Sequence, residues 1–157
     1  MEQVRVATAH DVDRLVELTA AFHGATDGQR GAAAAHGTDP GGHAPTATEA
    51  AVAPYLSGPD RTALVATLDD WVAGAALCRV LGGDGERRGV LDVCFVEPGA
   101  REVGLGQLLL EHALDWFRDQ RCTGVDGTAL PGDRAAKQFY ESAGFKARLL
   151  VMHLPLD

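Results

Sequence analysis

Apolar positions recur along this chain with two different periods, and the changes of period divide it into strands and helices. Strand-length apolar runs occupy residues 61–68 and 71–81 and meet at Asp69-Asp70, a combination that predicts a β-hairpin. From residue 104 to about 118 the apolar positions instead recur every three or four residues, which is typical of a helix with one buried face. The pattern therefore predicts a chain that passes repeatedly between sheet and helix.

The complete pattern predicts ten elements in one domain, residues 1–157. In chain order they are strand 4–7, helix 12–22, helix 46–56, strands 61–68, 71–81 and 90–96, helix 104–118, strand 125–130, helix 133–143 and strand 149–154. This order, β-α-α-β-β-β-α-β-α-β, predicts an α/β (α+β) fold whose mixed central sheet carries helices on both faces. Residues 24–45 contain almost no large apolar side chain, so burial cannot offset their ordering entropy, and a mobile loop is expected there.

Composition narrows the classes of function. The net charge of −8 argues against nonspecific binding to nucleic acid or to an anionic membrane, and suits a cationic substrate. No apolar run approaches the roughly 20 residues of a membrane-spanning helix. Since Met1-Glu2-Gln3 does not begin a secretory signal, a cytoplasmic location is expected, and a bacterial origin is guessed.

The residues that could ligate a metal are scattered. Three cysteines, Cys78, Cys94 and Cys122, are odd in number and far apart, and they are interpreted as buried thiols. The six histidines are dispersed as well. No metal site is predicted.

A candidate anion site follows the strand that ends at Val96. There Arg101 precedes Gly104 and Gly106, and the helical pattern begins at about Leu105. Glycines allow a tight turn without a Cβ in the way, and the N–H groups at a helix start attract phosphate oxygens. The segment therefore predicts a phosphate cradle, with a helix start containing incidental glycines as the alternative.

The order strand, Pro98, Arg-x-x-Gly-x-Gly and amphipathic helix resembles the acetyl-CoA signature of GNAT-type (general control non-repressible related) N-acetyltransferases. Residues 133–145, a short helix that carries Phe-Tyr and closes at Gly-Phe, resemble the second, C-terminal signature of this family. Residues 4–11 are similar to its opening strand and helix start. The resemblance covers roughly the whole chain, except that residues 24–50 match nothing in the family.

The resemblance implies a fold, a co-substrate and a set of binding groups. Acetyl-CoA would lie between two splayed strands, its pantetheine arm held by the main chain of Cys94, Phe95 and Val96, one of whose N–H groups would polarise the thioester carbonyl. The diphosphate would bind at the loop and helix start, formed by Arg101, Glu102, Val103, Gly104, Leu105, Gly106 and Gln107.

Two side chains are candidates for the chemistry. By resemblance, Tyr140 would protonate the departing thiolate as a general acid; packing between helix and sheet is its alternative. Asp92 could take a proton from the amine, directly or through water, or could bind a cationic acceptor or a structural donor. Strict alternation would place Asp92 on the same face as Cys94 and Val96. Glu97 is a weaker substitute as base.

Asp133 departs from the family pattern, in which many members carry Asn. The resemblance gives this position a role at the pantetheine arm or the phosphates, whereas Asp133 could instead simply cap the following helix. The departure keeps a second hypothesis open, a catalytically silent module that binds or senses acyl-CoA.

The expected reaction is direct transfer of acetyl to a primary amine, with no covalent enzyme intermediate and no metal. The acceptor is a small molecule or a peptide amine that the sequence does not identify, and neither nucleic acid nor membrane is an expected partner. Dimers through the C-terminal strands are frequent in the family, so a homodimer is a further expectation. A Rossmann-type phosphate binder is disfavoured, because that fingerprint needs one more glycine and an early strand-helix unit.

Overall fold

Five strands form a single sheet in the part of the chain that this computed structural model describes, residues 1–27, 44–82 and 85–156. The strands are β1 (Glu2–Val6), β2 (Arg61–Leu68), β3 (Trp71–Leu81), β4 (Arg88–Val96) and β5 (Gly124–Gly127), and they lie side by side in chain order. Pairing is antiparallel from β1 to β4, and β4 pairs in parallel with β5. The sheet is therefore mixed, as the sequence predicts.

Helices cover both faces of this sheet. They are α1 (Val12–Thr26), α2 (Glu49–Val52), α3 (Pro54–Ser57), α4 (Leu105–Asp119) and α5 (Arg134–Ser142), and a 3₁₀ segment, Pro98–Val103, precedes α4. The core on one face joins α1, α2 and α3 to the sheet through Leu15, Leu18, Val52, Tyr55, Val65, Leu77, Val93 and Phe95. The core on the other face packs α4 against the sheet through Leu64, Cys78, Leu91, Val96, Leu105, Leu109 and Phe117, with α5 beside it. The predicted arrangement of helices on both faces is confirmed.

The β2–β3 hairpin has the predicted bounds. Its turn residues, Asp69 and Asp70, both adopt positive φ, +48° and +69°. A two-residue turn with both φ values positive matches the twist of the flanking strands. Aspartate tolerates this left-handed region better than most residues, which explains why the polar pair marks the turn.

Three predicted elements have different bounds in the structure. The helix expected over residues 46–56 is two short helices, because Pro54 has no N–H to continue the first of them. The strand expected over 125–130 ends at Gly127. The mobile loop expected over 24–45 begins too early, since residues 24–26 form the last turn of α1, and residues 28–43 of that loop lie outside the described residues.

The predicted C-terminal strand, residues 149–154, is wrong for this structure. Residues 145–156 form neither strand nor helix. Each large apolar side chain near the end is more than half exposed: Leu149, Leu150, Val151, Met152, Leu154 and Leu156. An apolar run becomes a strand only where it pairs with a neighbouring edge, and among the described residues the outer edge of β5 has no such partner.

In residues 1–27, 44–82 and 85–156 no helix combines the length and the apolar character needed to cross a bilayer.

Candidate functional site

The β4–β5 ladder ends halfway along β4. It runs from Arg88 opposite Gly124 to Leu91 opposite Gly127. On its other side β4 remains paired with β3 as far as Val96. The side of residues 92–96 that faces away from β3 therefore has no partner strand among the described residues, and we call this side the open edge.

Alternation along β4 decides which peptide groups face the open edge. The N–H of Glu97 donates to the carbonyl of Ala73 on the β3 side, at 2.8 Å. Since successive residues of a strand direct their N–H and C=O groups to opposite sides, Val96 and Cys94 present theirs to the open edge. The peptide groups of Phe95 face β3, so the backbone contacts expected with pantetheine are limited to Cys94 and Val96.

A β-bulge at Asp92 interrupts the alternation of β4. Leu77 of β3 lies opposite Val93, but the next residue, Cys78, lies opposite Leu91, so Asp92 is an extra residue without a partner in the register. A bulge shifts the following side chains to the opposite face.

The bulge separates Asp92 from the residues expected beside it. Its carboxylate lies on the face of α1 and α3, whereas Cys94 and Val96 belong to the core under α4. The expectation that these three side chains share one face is wrong, because it assumed an unbroken strand.

The carboxylate of Asp92 is enclosed by hydrogen-bond donors. Its side chain is 0% exposed. Oδ2 accepts from the Tyr55 hydroxyl and from Arg79 Nε at 3.0 Å, and Oδ1 accepts from Arg79 Nη2 at 3.2 Å. Burial, followed by the nearby Asp92 charge, raises the pKa of Tyr55, so its phenol remains a donor. The sequence offered no signal that Tyr55 and Arg79 meet Asp92, because they come from α3 and β3.

Tyr140 lies at the point where β4 and β5 separate. Its ring lies across the end of β5: a Cβ built on Gly127 would be 2.9 Å from Cζ and 3.2 Å from the hydroxyl oxygen. Phe145 packs against the same ring, with centroids 5.0 Å apart. Burial, then the neighbouring Cys94 and Cys78, raise the pKa of Tyr140. The phenol is thus a neutral donor at the end of the open edge near Asp92, which we call its inner end. The sequence did not single out Gly127 as the residue that leaves room for the Tyr140 ring.

The thiols near this phenol are poor nucleophiles. Burial raises the pKa of Cys94 to about 12 and that of Cys78 well above its ordinary value. Because the thiolate is the reactive form of cysteine, neither group is suited to carry an acyl group covalently near neutral pH.

The glycines of the predicted cradle stand at the start of α4. Gly104 has φ = +80°, a left-handed conformation that strains other residues. The first N–H groups of the helix, those of Leu105, Gly106 and Gln107, have no acceptor within the helix. A Cβ on Gly106 would make only ordinary contacts, 3.5 Å to Phe139 and 3.8 Å to Val96. The fold itself therefore has room for a side chain at position 106, beside the outer end of the open edge.

The other predicted loop residues differ in their contacts. Arg101 Nε donates to the Val96 carbonyl at 2.7 Å, and its guanidinium lies 5.2 Å from the centroid of the Phe95 ring. Arg101 therefore satisfies one of the two carbonyls that face the open edge. Glu102 and Val103 are exposed in the 3₁₀ segment.

Two acidic residues near the site already have structural partners. Glu97 forms an ion pair with Arg14 and accepts from Trp71 Nε1 at 3.0 Å, so it is less available as a base. Asp133 accepts from the N–H of Ala136 at 3.0 Å. The helix-capping alternative for Asp133 is thus the contact observed.

Side chains that could ligate a metal do not cluster in the described part of the chain. Among the described residues, no three His, Cys, Asp or Glu side chains come together in a group that could hold a metal ion.

The fold and this site define a class of protein. A mixed sheet whose parallel strands separate between a helix start and a buried phenol is the arrangement that the resemblance predicts for acyltransferases. The chain belongs to the acetyltransferase (GNAT) family, whose model matches residues 32–145. Family membership assigns it to acyl transfer as a general reaction class. No curated protein sequence matches this chain.

Solved structures share this fold over nearly the whole chain. A tetramutant of the BH1408 protein from Bacillus halodurans has a TM-score of 0.80 at 19% identity, covering 98% of this chain and 99% of that one. A Trypanosoma brucei acetyltransferase has a TM-score of 0.69 at 19% identity, covering 99% and 100%. An aminoglycoside acetyltransferase from an uncultured soil metagenomic sample, in complex with sisomicin, has a TM-score of 0.71 at 15% identity, covering 99% and 95%. At these identities the likeness shows the fold alone.

Proposed function

We propose that this protein is a single-domain, acetyl-CoA-dependent N-acetyltransferase that transfers acetyl directly to a primary amine. The observation that supports this most is the position of two features along the open edge. Uncommitted helix N–H groups stand at its outer end, near Val96, and the neutral phenol of Tyr140 stands at its inner end, near Gly127. Donor diphosphate and departing sulfur would each meet a suitable group.

The donor would be held mainly by backbone groups. The N–H groups of Cys94 and Val96 and the carbonyl of Cys94 are the proposed partners of the pantetheine arm and of the thioester oxygen. The diphosphate would be held by the N–H groups of Leu105, Gly106 and Gln107, and the loop formed by Glu102, Val103 and Gly104 would border it, since the Gly104 N–H already donates to the Arg101 carbonyl at 3.3 Å. Arg101 would support this site through the Val96 carbonyl. Asp133 is proposed to contribute to donor binding indirectly, by capping the start of α5.

Acetyl-CoA supplies an activated acetyl group as a thioester. In the proposed reaction the amine nitrogen forms a bond to the carbonyl carbon, and the carbon–sulfur bond breaks. The backbone N–H groups stabilise the negative charge on the carbonyl oxygen, and Tyr140 gives its proton to the leaving thiolate. The raised pKa of Tyr140 keeps the phenol protonated but makes it a weaker acid, so the transfer depends on negative charge that develops on the sulfur.

Asp92 is the proposed receiver of the amine proton, through a water molecule. A carboxylate has about four acceptor positions. Arg79 and Tyr55 use at least three of them, which leaves at most about one for a relay. The alternative, a direct ligand for a cationic amine, needs the same position. Asp92→Asn should lower kcat with little change in KM for the amine under the first proposal, and should raise that KM under the second.

Calorimetry of acetyl-CoA binding is the first test. Wild type should bind with micromolar affinity. Gln107→Glu adds negative charge at the helix start without backbone strain, and Gly104→Glu adds charge, bulk and strain; both should weaken or abolish binding. Gly24→Glu, where a Cβ meets nothing within 4 Å, adds the same charge on α1 and should bind normally. If wild type does not bind, the enzyme proposal is withdrawn.

An amine library then separates an enzyme from a silent binding module. Wild type should acetylate at least one primary amine, and Tyr140→Phe should lower kcat by about 100-fold, within the range of general acid catalysis. Binding without turnover of any amine would support the module. The library begins with small cationic amines, because of the net charge of −8 and because an aminoglycoside acetyltransferase shares the fold. Amino acids, polyamines and peptide N-termini complete it.

A homodimer formed through the C-terminal segment, residues 149–156, is the partner proposal. Its exposed apolar side chains would gain from burial against a second copy. Light scattering should report a dimer for wild type and a monomer for Leu150→Asp; a monomeric wild type contradicts it. The proposed setting is the cytoplasm of a bacterium, where acetyl-CoA is available.

A further inference from the structure

The regular pairing of β4 with both of its neighbouring strands is interrupted at one residue, Asp92. On the β3 side, Asp92 is the bulged residue, and on the β5 side the ladder ends at the preceding residue, Leu91. The bulge at Asp92 sets which side of the strand each following residue faces, because a register shift of one residue exchanges the two sides. A slip of one residue past Asp92 would turn the peptide groups of Cys94 and Val96 away from the open edge and bring those of Phe95 to it.

Three side chains, one each from α3, β3 and β4, form hydrogen bonds with one another at this bulge. Arg79 of β3 grips both carboxylate oxygens of Asp92, and the Tyr55 hydroxyl, carried by α3, donates to one of them. Tyr55 is only 4% exposed, and the guanidinium of Arg61 lies 5.1 Å from the centroid of its ring. We call Tyr55, Arg79 and Asp92 the Asp92 clamp. Planar bidentate pairing fixes direction as well as distance, which suits a role in register.

We propose that Tyr55 and Arg79 are positioning residues, which fix the bulge at Asp92 and thereby direct the Cys94 and Val96 peptide groups into the open edge. The clamp lies on the α1 and α3 face, whereas Cys94 and Val96 pack under α4. Its effect on the acyl group therefore passes through the β4 backbone. This inference rests on the proposed function, because it presumes that the thioester binds at the open edge.

Tyr55→Phe tests the proposal, because it removes only the hydroxyl. We expect kcat for acetyl transfer to fall by roughly 10- to 100-fold, as for a small misplacement of the reacting groups. The Kd for acetyl-CoA should change less than threefold, by roughly 0.6 kcal/mol or less, because the helix start is untouched. Preference for acetyl over butyryl donors should also decrease. Thr19→Val is the matched control: it removes a buried hydroxyl that bonds Leu15 within α1, and kinetics should remain as in wild type.

The outcomes separate a positioning role from a structural one. A merely structural role predicts that Tyr55→Phe loses about as much free energy of unfolding as Thr19→Val and keeps the kcat and acyl preference of wild type. That result overturns the proposal. If Tyr55→Phe does not fold, Arg79→Lys provides the same comparison, since it keeps the charge and loses the bidentate geometry.

A second readout does not depend on activity. Amide hydrogen exchange at Cys94 and Val96 should be slower in Tyr55→Phe than in wild type, and exchange at Phe95 faster, because a slip turns the first two peptide groups toward β3 and the third to the open edge; exchange along α4 should stay the same. Unchanged exchange at these three residues overturns the clamp even when the enzyme is active. A wild type that binds no acetyl-CoA defeats the proposed function instead, and exchange still decides whether the clamp sets the strand.

Discussion

The two halves of β4 have similar apolar sequences and different environments. Among the described residues, 88–91 are paired with strands on both sides, whereas residues 93–96 are paired with β3 only and Asp92 is the unpaired bulge between them. In the first half every peptide group belongs to the sheet, and a change there should affect folding. In the second half alternate peptide groups remain available, and a change there should affect binding. Under the proposed function the donor binds where the sheet stops pairing, and substitutions at three glycines near this boundary can test that proposal.

Gly89→Ala should have the largest effect, because it lies in the closed half. A Cβ there would be 2.5 Å from the ring of Phe117, which is 1% exposed and cannot move away. Overpacking of this kind costs about 3 kcal/mol. Chemical denaturation should show this loss in the free energy of unfolding, with acetyl-CoA affinity of the folded protein unchanged. Normal stability would contradict the packing of α4 on β4.

Gly127→Ala should have the next largest effect, because it lies at the boundary. The new methyl group would displace the Tyr140 ring from the end of β5. We expect kcat to fall about 30-fold through loss of acid positioning, with a stability loss of about 1 kcal/mol. Combination with Tyr140→Phe distinguishes the cause. If the two effects on kcat multiply fully, Gly127 does not act through Tyr140.

Gly106→Ala should have a smaller effect, and on binding alone. Its Cβ fits within ordinary contact distance, and alanine favours the helix by up to about 1 kcal/mol. Stability should therefore stay the same or rise. Acetyl-CoA affinity should fall about tenfold, because the methyl group would stand beside the proposed diphosphate site. A variant with unchanged affinity would place the diphosphate elsewhere.

Alkaline pH should have the smallest effect, through the half-buried thiol of Cys94. The pKa of Cys94 is about 12 in the folded protein, against about 8.5 for an unfolded cysteine. Its contribution to stability is complete below about pH 8.5 and is lost as pH rises toward 12, because only the unfolded chain releases the proton. Between pH 7 and pH 9.5 the free energy of unfolding should fall by about 1 kcal/mol more for wild type than for Cys94→Ala. Equal losses in urea titrations would mean that the thiol is solvated.

Local patterns predicted much of the fold. The hairpin had exact bounds because Asp69-Asp70 can adopt the required turn, and α4 followed from its apolar spacing. The glycine loop also lay at the helix start where its signature placed it. These features depend on residues close together in the chain.

The same reasoning failed where partners are distant. The run at residues 149–154 is as apolar as β4, yet it remains exposed and pairs with no strand of the described residues, so apolar character alone does not decide whether a strand forms. Alternation placed Asp92 beside Cys94, and the bulge moved it to the other face. Nothing in the local pattern marks an extra residue, since a bulge is defined only relative to the neighbouring strand.

The sequence by itself determined most of the strands and helices, the position of Gly104 and Gly106 at the start of α4 and the family to which the chain belongs, because propensity, periodicity and short motifs are local properties. Only the tertiary structure decided that β4 opens at Asp92, that Tyr55 and Arg79 hold it there, and that Gly127 admits Tyr140. These contacts join residues 13 to 37 positions apart, and their geometry exists only after the sheet and its covering helices have packed.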